Sequence, residues 1–352
     1  MTPGPGGDGG GVPPGEGDLV VGVDAGGSTT RAVVARLDGT CLGWARGPAG
    51  NPTSSGPERA HDAITTTAAR ALAGADADLG RVRLLVVCLA GAQQLLTPAT
   101  VAAHWGHPAL APRVAVAGDI LAMFRSGGPE ASGAAVVAGT GSVAARVERG
   151  ALARTVGGTG WLLGDGGSGF AIGRAVVRAV LAALDGLGPE TALTPLLLSG
   201  LGLDDEREVA HDARPVVVTR LMGRLYAEPP VGLARLAPTA FAASSAGDAV
   251  AAAILDDAER RLATLVDTVR TGPDDEPLVL GGSVLHQVLA RSGDGPLRAA
   301  LAGATVRTAA DGALGATAEA LARLAGTDGE VPADAHARLT ATLAEVRARV
   351  SS

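Results

Sequence analysis

One stretch near the start of the chain, residues 20–30, limits the fold more than any other. An apolar run there ends at Asp24, and the turn Ala25-Gly26-Gly27-Ser28 separates it from a second apolar run at residues 32–37. Asp38-Gly39 then predicts a type I′ turn into a third strand at residues 41–45. The pattern therefore predicts three consecutive strands joined by tight turns.

The first turn has the composition of a phosphate-binding loop. Because glycine has no Cβ, backbone N–H groups can approach phosphate oxygens, and this turn offers Gly26, Gly27, Ser28 and Thr29. Asp24, at the mouth of the turn, is placed to hold a hydrated Mg²⁺ beside those phosphates. An ordinary hairpin with a polar turn explains the same residues, and this stretch alone leaves both interpretations open.

The same pattern returns in the middle of the chain. Residues 134–138 are apolar, residues 143–147 predict another strand, and between them lies Gly139-Thr140-Gly141-Ser142. This internal repeat predicts two related lobes, each presenting one phosphate-binding hairpin to a shared cleft. In the second turn, contact with the β- and γ-phosphates is expected from the glycine backbone and from the hydroxyls of Thr140 and Ser142.

A second carboxylate follows a predicted strand. Residues 114–117 are apolar, Gly118-Asp119 follows, and residues 120–125 predict a helix. Alternating strands and helices predict a mostly parallel sheet, and such sheets bind ligands at the carboxyl ends of their strands. Asp119 is therefore the candidate general base for an attacking hydroxyl. A helix N-cap is the alternative, and one carboxylate can serve both purposes.

Composition narrows the class of protein. The length of 352 residues predicts two domains, and the net charge of −7 argues against a nucleic-acid partner held by a basic surface. No apolar run is long enough to span a membrane. Cys41 and Cys88 lie in apolar runs outside any metal-spaced pair, which predicts a reduced, cytoplasmic protein. Residues 1–17 are rich in glycine and proline, so we expect a disordered tail without a signal peptide.

Five short motifs, in this order and spacing, resemble those of the N-acetylglucosamine kinase family, which belongs to the wider BadF/BadG/BcrA/BcrD ATPase group. They are Asp24-Ala-Gly-Gly-Ser28, Gly118-Asp119, Gly139-Thr-Gly-Ser142, Gly164-Asp-Gly-Gly-Ser168 and Gly281-Gly-Ser-Val284. Each motif alone is weak evidence, whereas five in order are specific for the superfamily. The resemblance extends from about Leu19 to Leu324 and is less specific for the sugar.

The resemblance implies an α/β fold of two domains, the actin-like (ribonuclease H-like) ATPase fold, with nucleotide and sugar in the interdomain cleft. On this basis residues 1–17 are the tail, 18–131 the N-terminal lobe and 132–327 the C-terminal lobe. Residues 328–352 are a C-terminal helix, which we expect to pack on the N-terminal lobe. ATP and Mg²⁺ are the implied cofactors, and a homodimer is the implied assembly.

The resemblance also implies roles for individual residues. It implies an adenosine motif at Gly281, Gly282 and Ser283, and sugar contacts from Asn51, Asp119, Thr159, Gly160 and Asp165. Asn51 is equally typical of an Asn-Pro turn, and Asp165 of a helix cap. Ala25 and Ser28 replace a glycine and a threonine that are usual in the family. Two further departures, Trp161 two positions after the family's usual tryptophan site and Gly166 for a glutamate, lie in the stretch that resembles the sugar-contacting loop.

The function implied is transfer of phosphate from ATP to the 6-hydroxyl of N-acetylglucosamine or a related amino sugar. Glucosamine and N-acetylmuramic acid remain alternative substrates. An activator ATPase for 2-hydroxyacyl-CoA dehydratases is an alternative of another class, and it would need cysteines for a cluster bridging two subunits. A non-catalytic sugar sensor is a third, although Asp119 and both phosphate turns are retained.

Overall fold

The computed structural model of the protein describes residues 17–90, 96–209 and 213–351. The strands in these ranges are β1 (Leu19–Ala25), β2 (Thr30–Arg36), β3 (Cys41–Gly47), β4 (Val82–Leu89), β5 (Val114–Gly118), β6 (Gly133–Ala138), β7 (Ser142–Glu148), β8 (Ala151–Gly157), β9 (Pro277–Gly281) and β10 (Thr305–Thr308). The α-helices in the same ranges are α1 (Pro52–Ser55), α2 (Pro57–Gly74), α3 (Pro98–His104), α4 (Asp119–Gly127), α5 (Gly160–Leu163), α6 (Gly169–Leu184), α7 (Leu193–Leu201), α8 (Val216–Tyr226), α9 (Ala237–Ser245), α10 (Ala249–Val269), α11 (Ser283–Arg291), α12 (Pro296–Ala300), α13 (Gly312–Ala325) and α14 (Ala333–Ser351). Of the tail predicted at residues 1–17, all but Gly17 lies outside the described residues.

Two five-stranded sheets repeat one topology. The N-terminal sheet has the order β3-β2-β1-β4-β5, and the C-terminal sheet has the corresponding order β8-β7-β6-β9-β10. In each sheet, in the order given, the first three strands pair antiparallel with one another, and the third, fourth and fifth pair in parallel. The internal repeat predicted from the two glycine turns is therefore confirmed at the level of whole sheets.

Strand β1 is buried on both faces because helices cover both. Val21 lies in the same hydrophobic core as Ile64 of α2, and Val20 lies in the core that contains α13. Gly22 lets α13 approach the sheet, since a Cβ there would collide with the backbone of Thr317. This double burial explains why the sequence of β1 is a nearly continuous apolar run.

Helices α4 and α13 lie between the two sheets and give them a shared core. One hydrophobic cluster contains Val86 of the N-terminal sheet, Val279 of the C-terminal sheet and much of both helices. The helices touch where Gly315 of α13 meets the backbone of Ala122 in α4. Our division of the chain assigns α13 to the C-terminal lobe, whereas the helix packs extensively against β1, β4 and α4 of the N-terminal part.

The two hairpin turns that follow the repeat differ in type. A type I′ turn needs positive φ at both central residues. Arg149 and Gly150 have φ of 45° and 76°, but Gly39 has a positive φ of 88° while Asp38 does not. Gly39 donates its N–H to the carbonyl of Arg36 at 3.0 Å, as the residue closing a type I turn does. The type I′ prediction for Asp38-Gly39 is therefore wrong, and glycine is needed there only as the residue after the turn.

The last helix, α14, packs against the outer strand β3. The backbone N–H of Cys41 donates to the hydroxyl of Thr342 at 2.9 Å, and the turn at Gly39 meets the backbone of Ala335. The chain thus returns after α13 to cover the antiparallel edge of the N-terminal sheet. Among the described residues, none of the helices combines the length and the apolar character that crossing a membrane requires.

Candidate active site

The carboxyl ends of the parallel strands bring the predicted residues of the N-terminal sheet to one edge. The strand ends Ala25, Leu89 and Gly118 are aligned across β1, β4 and β5. Asp24 therefore lies beside the end of β4, and Asp119 follows directly after the end of β5. This is the edge at which open α/β sheets bind ligands.

The C-terminal sheet forms the matching edge. Val137 of β6 pairs with Gly281 of β9, so the second glycine turn and the predicted adenosine motif follow neighbouring strands. Gly282 has φ of 88°, and a Cβ there would collide with the carbonyl of Ala138. Glycine is required at this position both for its conformation and for the close packing of the two segments.

The two edges meet through α4 and α13. Met123 lies one helical turn after Asp119 and touches the opposite sheet, because a Cβ on Gly281 would lie 2.9 Å from its Cε. On the other side, a Cβ on Gly312 at the start of α13 would lie 2.5 Å from Asp24 Oδ2. Both helices therefore begin in the cleft between the sheets.

Among the described residues, helices of both lobes begin around this cleft. They include α4 at Asp119, α6 at Gly169, α11 at Ser283 and α13 at Gly312. The N-terminus of a helix carries unpaired N–H groups and a partial positive charge, so it favours phosphate. The cleft is thus suited to a polyphosphate although the protein as a whole is acidic.

Asp24 is a half-buried carboxylate in an acidic neighbourhood. Its Oδ2 accepts a hydrogen bond from Arg31 Nη1 at 3.3 Å. Burial raises its pKa to about 6, Arg31 opposes the rise, and the negative charges of Asp311 and Asp119 add to it. The three carboxylates therefore interact across the start of α4 and α13.

Asp119 is the first residue of α4, and Gly118 is the N-cap. Its Oδ1 accepts a hydrogen bond from the N–H of Ile120 at 2.8 Å. Burial raises its pKa above the ordinary value, and this backbone hydrogen bond opposes the rise. Asp119 is therefore not the N-cap that the sequence analysis gave as the alternative, and its carboxylate accepts a hydrogen bond within the first turn at the carboxyl edge of the sheet.

The second glycine turn is braced by the loop before α6. The N–H of Ser142 donates to Asp165 Oδ1 at 3.1 Å, and its hydroxyl donates to the carbonyl of Gly166 at 2.9 Å. The N–H groups of Gly169 and Phe170 donate to the carbonyls of the turn residues Gly139 and Thr140. Asp165, which is predicted to contact sugar, is buried and has φ of 62°. In the structure its carboxylate accepts the hydrogen bond that holds this turn.

The other predicted sugar residues belong to both halves of the molecule. Asn51 is buried, caps α1 through Thr53 N–H at 2.8 Å and donates to the carbonyl of Ala90 at 3.1 Å, so it adjoins the end of β4. Thr159 and Gly160 are exposed at the start of α5. A Cβ on Gly164 would collide with the Thr159 hydroxyl, so that loop folds tightly on itself.

Two residues of this cleft, Asp311 and Gly312, are absent from the predicted site residues. Asp311 is the N-cap of α13, and its Oδ1 accepts from Ala313 N–H at 2.8 Å. The signal was present, because a carboxylate follows the parallel strand β10 and precedes a helix, as Asp119 follows β5. The short, exposed strand β10 made that signal weak.

The donor set suits a hydrated magnesium ion better than a directly bound metal. Within residues 17–90, 96–209 and 213–351, no three or more His, Cys, Asp or Glu side chains converge as metal ligands. Mg²⁺ usually keeps several waters and is held by one or two carboxylates together with substrate phosphates. Asp24, beside a phosphate turn, fits that requirement.

Both cysteines of the chain are packing residues. Cys41 in β3 and Cys88 in β4 are buried, and burial raises the pKa of Cys41 to about 11 and that of Cys88 well above its usual value. Neutral thiols packed inside a sheet are poorly suited to ligate a cluster shared between subunits. The geometry thus gives no support to the dehydratase-activator alternative.

Comparison with known proteins identifies a matching family and related kinases. Residues 21–320 match the BadF/BadG/BcrA/BcrD ATPase family. An N-acetyl-D-glucosamine kinase of Dictyostelium discoideum is 29% identical over 290 residues, covering 77% of this chain and 86% of that protein. An N-acetylmuramic acid/N-acetylglucosamine kinase of Clostridium acetobutylicum is 27% identical over 252 residues, covering 71% of this chain and 78% of that protein.

A solved structure gives the fold. The crystal structure of a candidate N-acetylglucosamine kinase from Chromobacterium violaceum aligns with a TM-score of 0.67 at 23% identity. The alignment covers 86% of this chain and 99% of that chain. Together with the repeated sheets, it confirms the predicted two-lobe, actin-like α/β fold.

Proposed function

The chain belongs to the BadF/BadG/BcrA/BcrD ATPase family, and from this membership we propose that it is an ATP-dependent kinase that phosphorylates an amino sugar. The proposal rests on one arrangement above all. Asp119 stands at the carboxyl edge of one sheet, joined through Met123 to the glycine motif of the opposite sheet. A carboxylate and glycine turns from both sheets thus border one cleft, which supports a site where a hydroxyl attacks a bound polyphosphate.

The nucleotide is proposed to lie across both glycine turns. The turns Gly26–Thr29 and Gly139–Gly141, with the exposed Thr140 hydroxyl, would line the phosphates. The N–H groups of Gly26 and Gly139 shape these turns, because they donate to the carbonyls of Thr29 and Gly141. The adenosine would lie against Gly281, Gly282 and Ser283, where missing side chains leave backbone exposed to a flat ring. Ser142 would shape its turn rather than bind phosphate, because its N–H and hydroxyl both bond to the loop before α6.

Asp119 is proposed to accept the proton of the attacking sugar hydroxyl. Phosphoryl transfer depends mainly on alignment and charge stabilisation, and a positioned base adds on the order of 10²–10⁴-fold. Burial raises the pKa of Asp119, which makes it a better proton acceptor when ionised. Bound Mg²⁺ would neutralise charge on the phosphates, and Asp24 would hold its hydration shell.

The proposed acceptor is N-acetylglucosamine or a close relative such as N-acetylmuramic acid or glucosamine, attacking through its 6-hydroxyl. The relatives named for the first two sugars support this choice. Asn51 from one side and Thr159, Gly160 and Asp165 from the other are the proposed sugar residues. Asp165 would serve there in addition to bracing the second turn.

The test is ADP release by the purified full chain, with ATP and Mg²⁺, against a panel of sugars. We expect N-acetylglucosamine or N-acetylmuramic acid to raise the rate well above that without sugar, and excess chelator to abolish it. Phosphorus NMR of the product should identify a 6-phosphate. A rate that no sugar in the panel raises would overturn the proposal, as would full activity in chelator. A homodimer and a cytoplasmic location stay predictions, and sedimentation checks the first.

A further inference from the structure

The C-terminal helix reaches the cleft through one arginine. Helix α14 begins at Ala333, beyond the residues that match the family. Near its end, Arg347 Nη1 donates to Asp311 Oδ2 at 3.0 Å. The Arg347 guanidinium also lies over the ring of Trp44 in β3, with its carbon 5.4 Å from the ring centroid. Two contacts thus hold this side chain between β3 and the start of α13.

Asp311 links that arginine to α13. One carboxylate oxygen receives Arg347, while the other accepts from the N–H of Ala313 and caps the helix. The carboxylate is almost fully buried. With both oxygens bound, Asp311 has one favoured orientation, and its negative charge is balanced by a cation from α14.

The start of α13 bears directly on Asp24. The backbone of Gly312 is so close that a Cβ would lie 2.5 Å from Asp24 Oδ2. Arg31, the ion-pair partner of Asp24, has its Nη1 3.3 Å from Asp24 Oδ2, and its side chain is 36% exposed. The position of α13 therefore limits where the Asp24 carboxylate can lie, and the charge of Asp311 acts on it across the same gap.

We propose that Arg347 is a positioning residue for the nucleotide site: by binding Asp311 it fixes the start of α13 and balances a charge that would otherwise face Asp24. Without Arg347, an uncompensated carboxylate would stand beside Asp24 and Asp119, where it repels the phosphates of ATP. The inference rests on the proposed function, since Asp24 is taken to orient hydrated magnesium. The inference gives α14 an indirect role in the nucleotide site, although the helix lies outside the cleft.

The test compares two arginines of α14. Arg347→Ala removes the link to Asp311. Arg338→Ala, on the same helix, removes an ion pair to Asp38 at 3.1 Å in the turn between β2 and β3, which is remote from the cleft. The two side chains are 47% and 46% exposed, so the losses of surface are matched. Each variant is measured by calorimetric titration with ATP, once with Mg²⁺ and once with chelator, and by thermal unfolding.

We expect Arg347→Ala to weaken ATP binding in Mg²⁺ about tenfold, the lower end for losing a group that orients a metal-site residue. Arg338→Ala should bind as the wild type does, although both variants lose similar small amounts of melting temperature. Arg347→Lys should recover part of the affinity. Asp311→Asn in the Arg347→Ala background should recover more, because the amide oxygen still caps α13 without the charge.

Equal ATP affinities for Arg347→Ala and Arg338→Ala would overturn the inference. So would a loss in Arg347→Ala that persists undiminished in chelator and in the double variant, since the role would then be only structural. Because ATP binding is measured without sugar, its outcome does not depend on whether the protein phosphorylates a sugar. A protein that binds Mg·ATP with the expected Arg347 dependence but phosphorylates no sugar would refute the sugar kinase and keep the inference.

Discussion

The two glycine turns repeat in sequence, yet the structure holds them differently. In the first turn Gly27 and Ser28 are exposed. Backbone hydrogen bonds support this turn: Gly26 N–H donates to the carbonyl of Thr29 at 3.0 Å, and Gly50 N–H donates to the carbonyl of Gly26 at 3.1 Å. In the second, Ser142 is only 3% exposed and bonded twice to the loop before α6.

This difference shows that a repeated motif need not repeat a role. The second turn is formed before any ligand arrives, because side chain and backbone both anchor it to Asp165 and α6. The serine of the first turn, Ser28, is exposed, whereas Ser142 is buried. We infer that the first turn adapts to the phosphates, while the second provides a rigid surface against which they are placed.

The largest expected effect leaves both turns intact. Asp119→Asn removes the proton acceptor, and the amide oxygen can still accept from Ile120 N–H. We expect kcat to fall about 10²–10⁴-fold, while calorimetry shows ATP affinity unchanged. A kcat within tenfold of the wild type would rule out Asp119 as the base, and lost ATP binding would mean that the turns alone do not hold the nucleotide.

The next effect concerns the brace of the second turn. Asp165→Ala leaves the buried Ser142 N–H without its acceptor, at a cost of about 1–3 kcal/mol in unfolding free energy. Asp165→Asn is the matched control, since asparagine tolerates positive φ and keeps an acceptor oxygen. Urea unfolding measures the difference between them.

The same pair tests the predicted sugar contact of Asp165. If the carboxylate binds a sugar hydroxyl, Asp165→Asn should keep near-normal stability and ATP affinity but raise KM for the sugar. If Asp165→Asn is as unstable as Asp165→Ala, the hydrogen bond to Ser142 is not what stabilises the turn. The second turn would then not be held more rigidly than the first by its bond to Asp165.

A smaller effect compares the two serines directly. Ser142→Ala removes the hydroxyl that satisfies the Gly166 carbonyl, so we expect a loss of about 1 kcal/mol in unfolding free energy. Ser28→Ala removes an exposed hydroxyl and should change stability by less than about 0.5 kcal/mol. In contrast, Ser28→Ala should raise KM for ATP more than Ser142→Ala does. Equal effects of both variants on stability and KM would show that the turns are equivalent.

The sequence predicts the elements well where the pattern is local. The apolar runs of β1 and β6 and the apolar run at residues 120–125 identify two strands and helix α4, and the spacing of the turns reveals the repeat. The inward direction of the Ser142 hydroxyl depends on Gly166, and the burial of Asp311 depends on Arg347, which lies on a different helix. Such contacts are fixed by tertiary packing, so neither spacing nor composition reports them.

The packing of α13 illustrates the limit more fully. Gly22 and Gly315 allow this helix to lie between the sheets, because they let the backbones of β1 and α4 approach it. Glycines in a strand or a helix are weak signals in one sequence. The placement of Gly312 against Asp24 follows from that packing, which is why this part of the site was missed.

The smallest expected effect is a pH dependence that variants of either turn should share. Burial raises the folded-state pKa of Asp119 above its unfolded value, so the folded state binds the proton more tightly. The contribution of Asp119 to stability is therefore present below the unfolded pKa and is lost as the pH rises through the folded pKa.

Catalysis needs the ionised form of Asp119, so kcat/KM should rise over the same pH interval. Ser28→Ala and Ser142→Ala should keep both trends. Asp119→Asn should lose the part of the stability trend that Asp119 contributes, while Asp24, whose pKa burial also raises, keeps its own. Thermal unfolding and kinetics from pH 4 to 8 measure these profiles. A stability profile of Asp119→Asn that is identical to the wild type would assign the titration to another carboxylate.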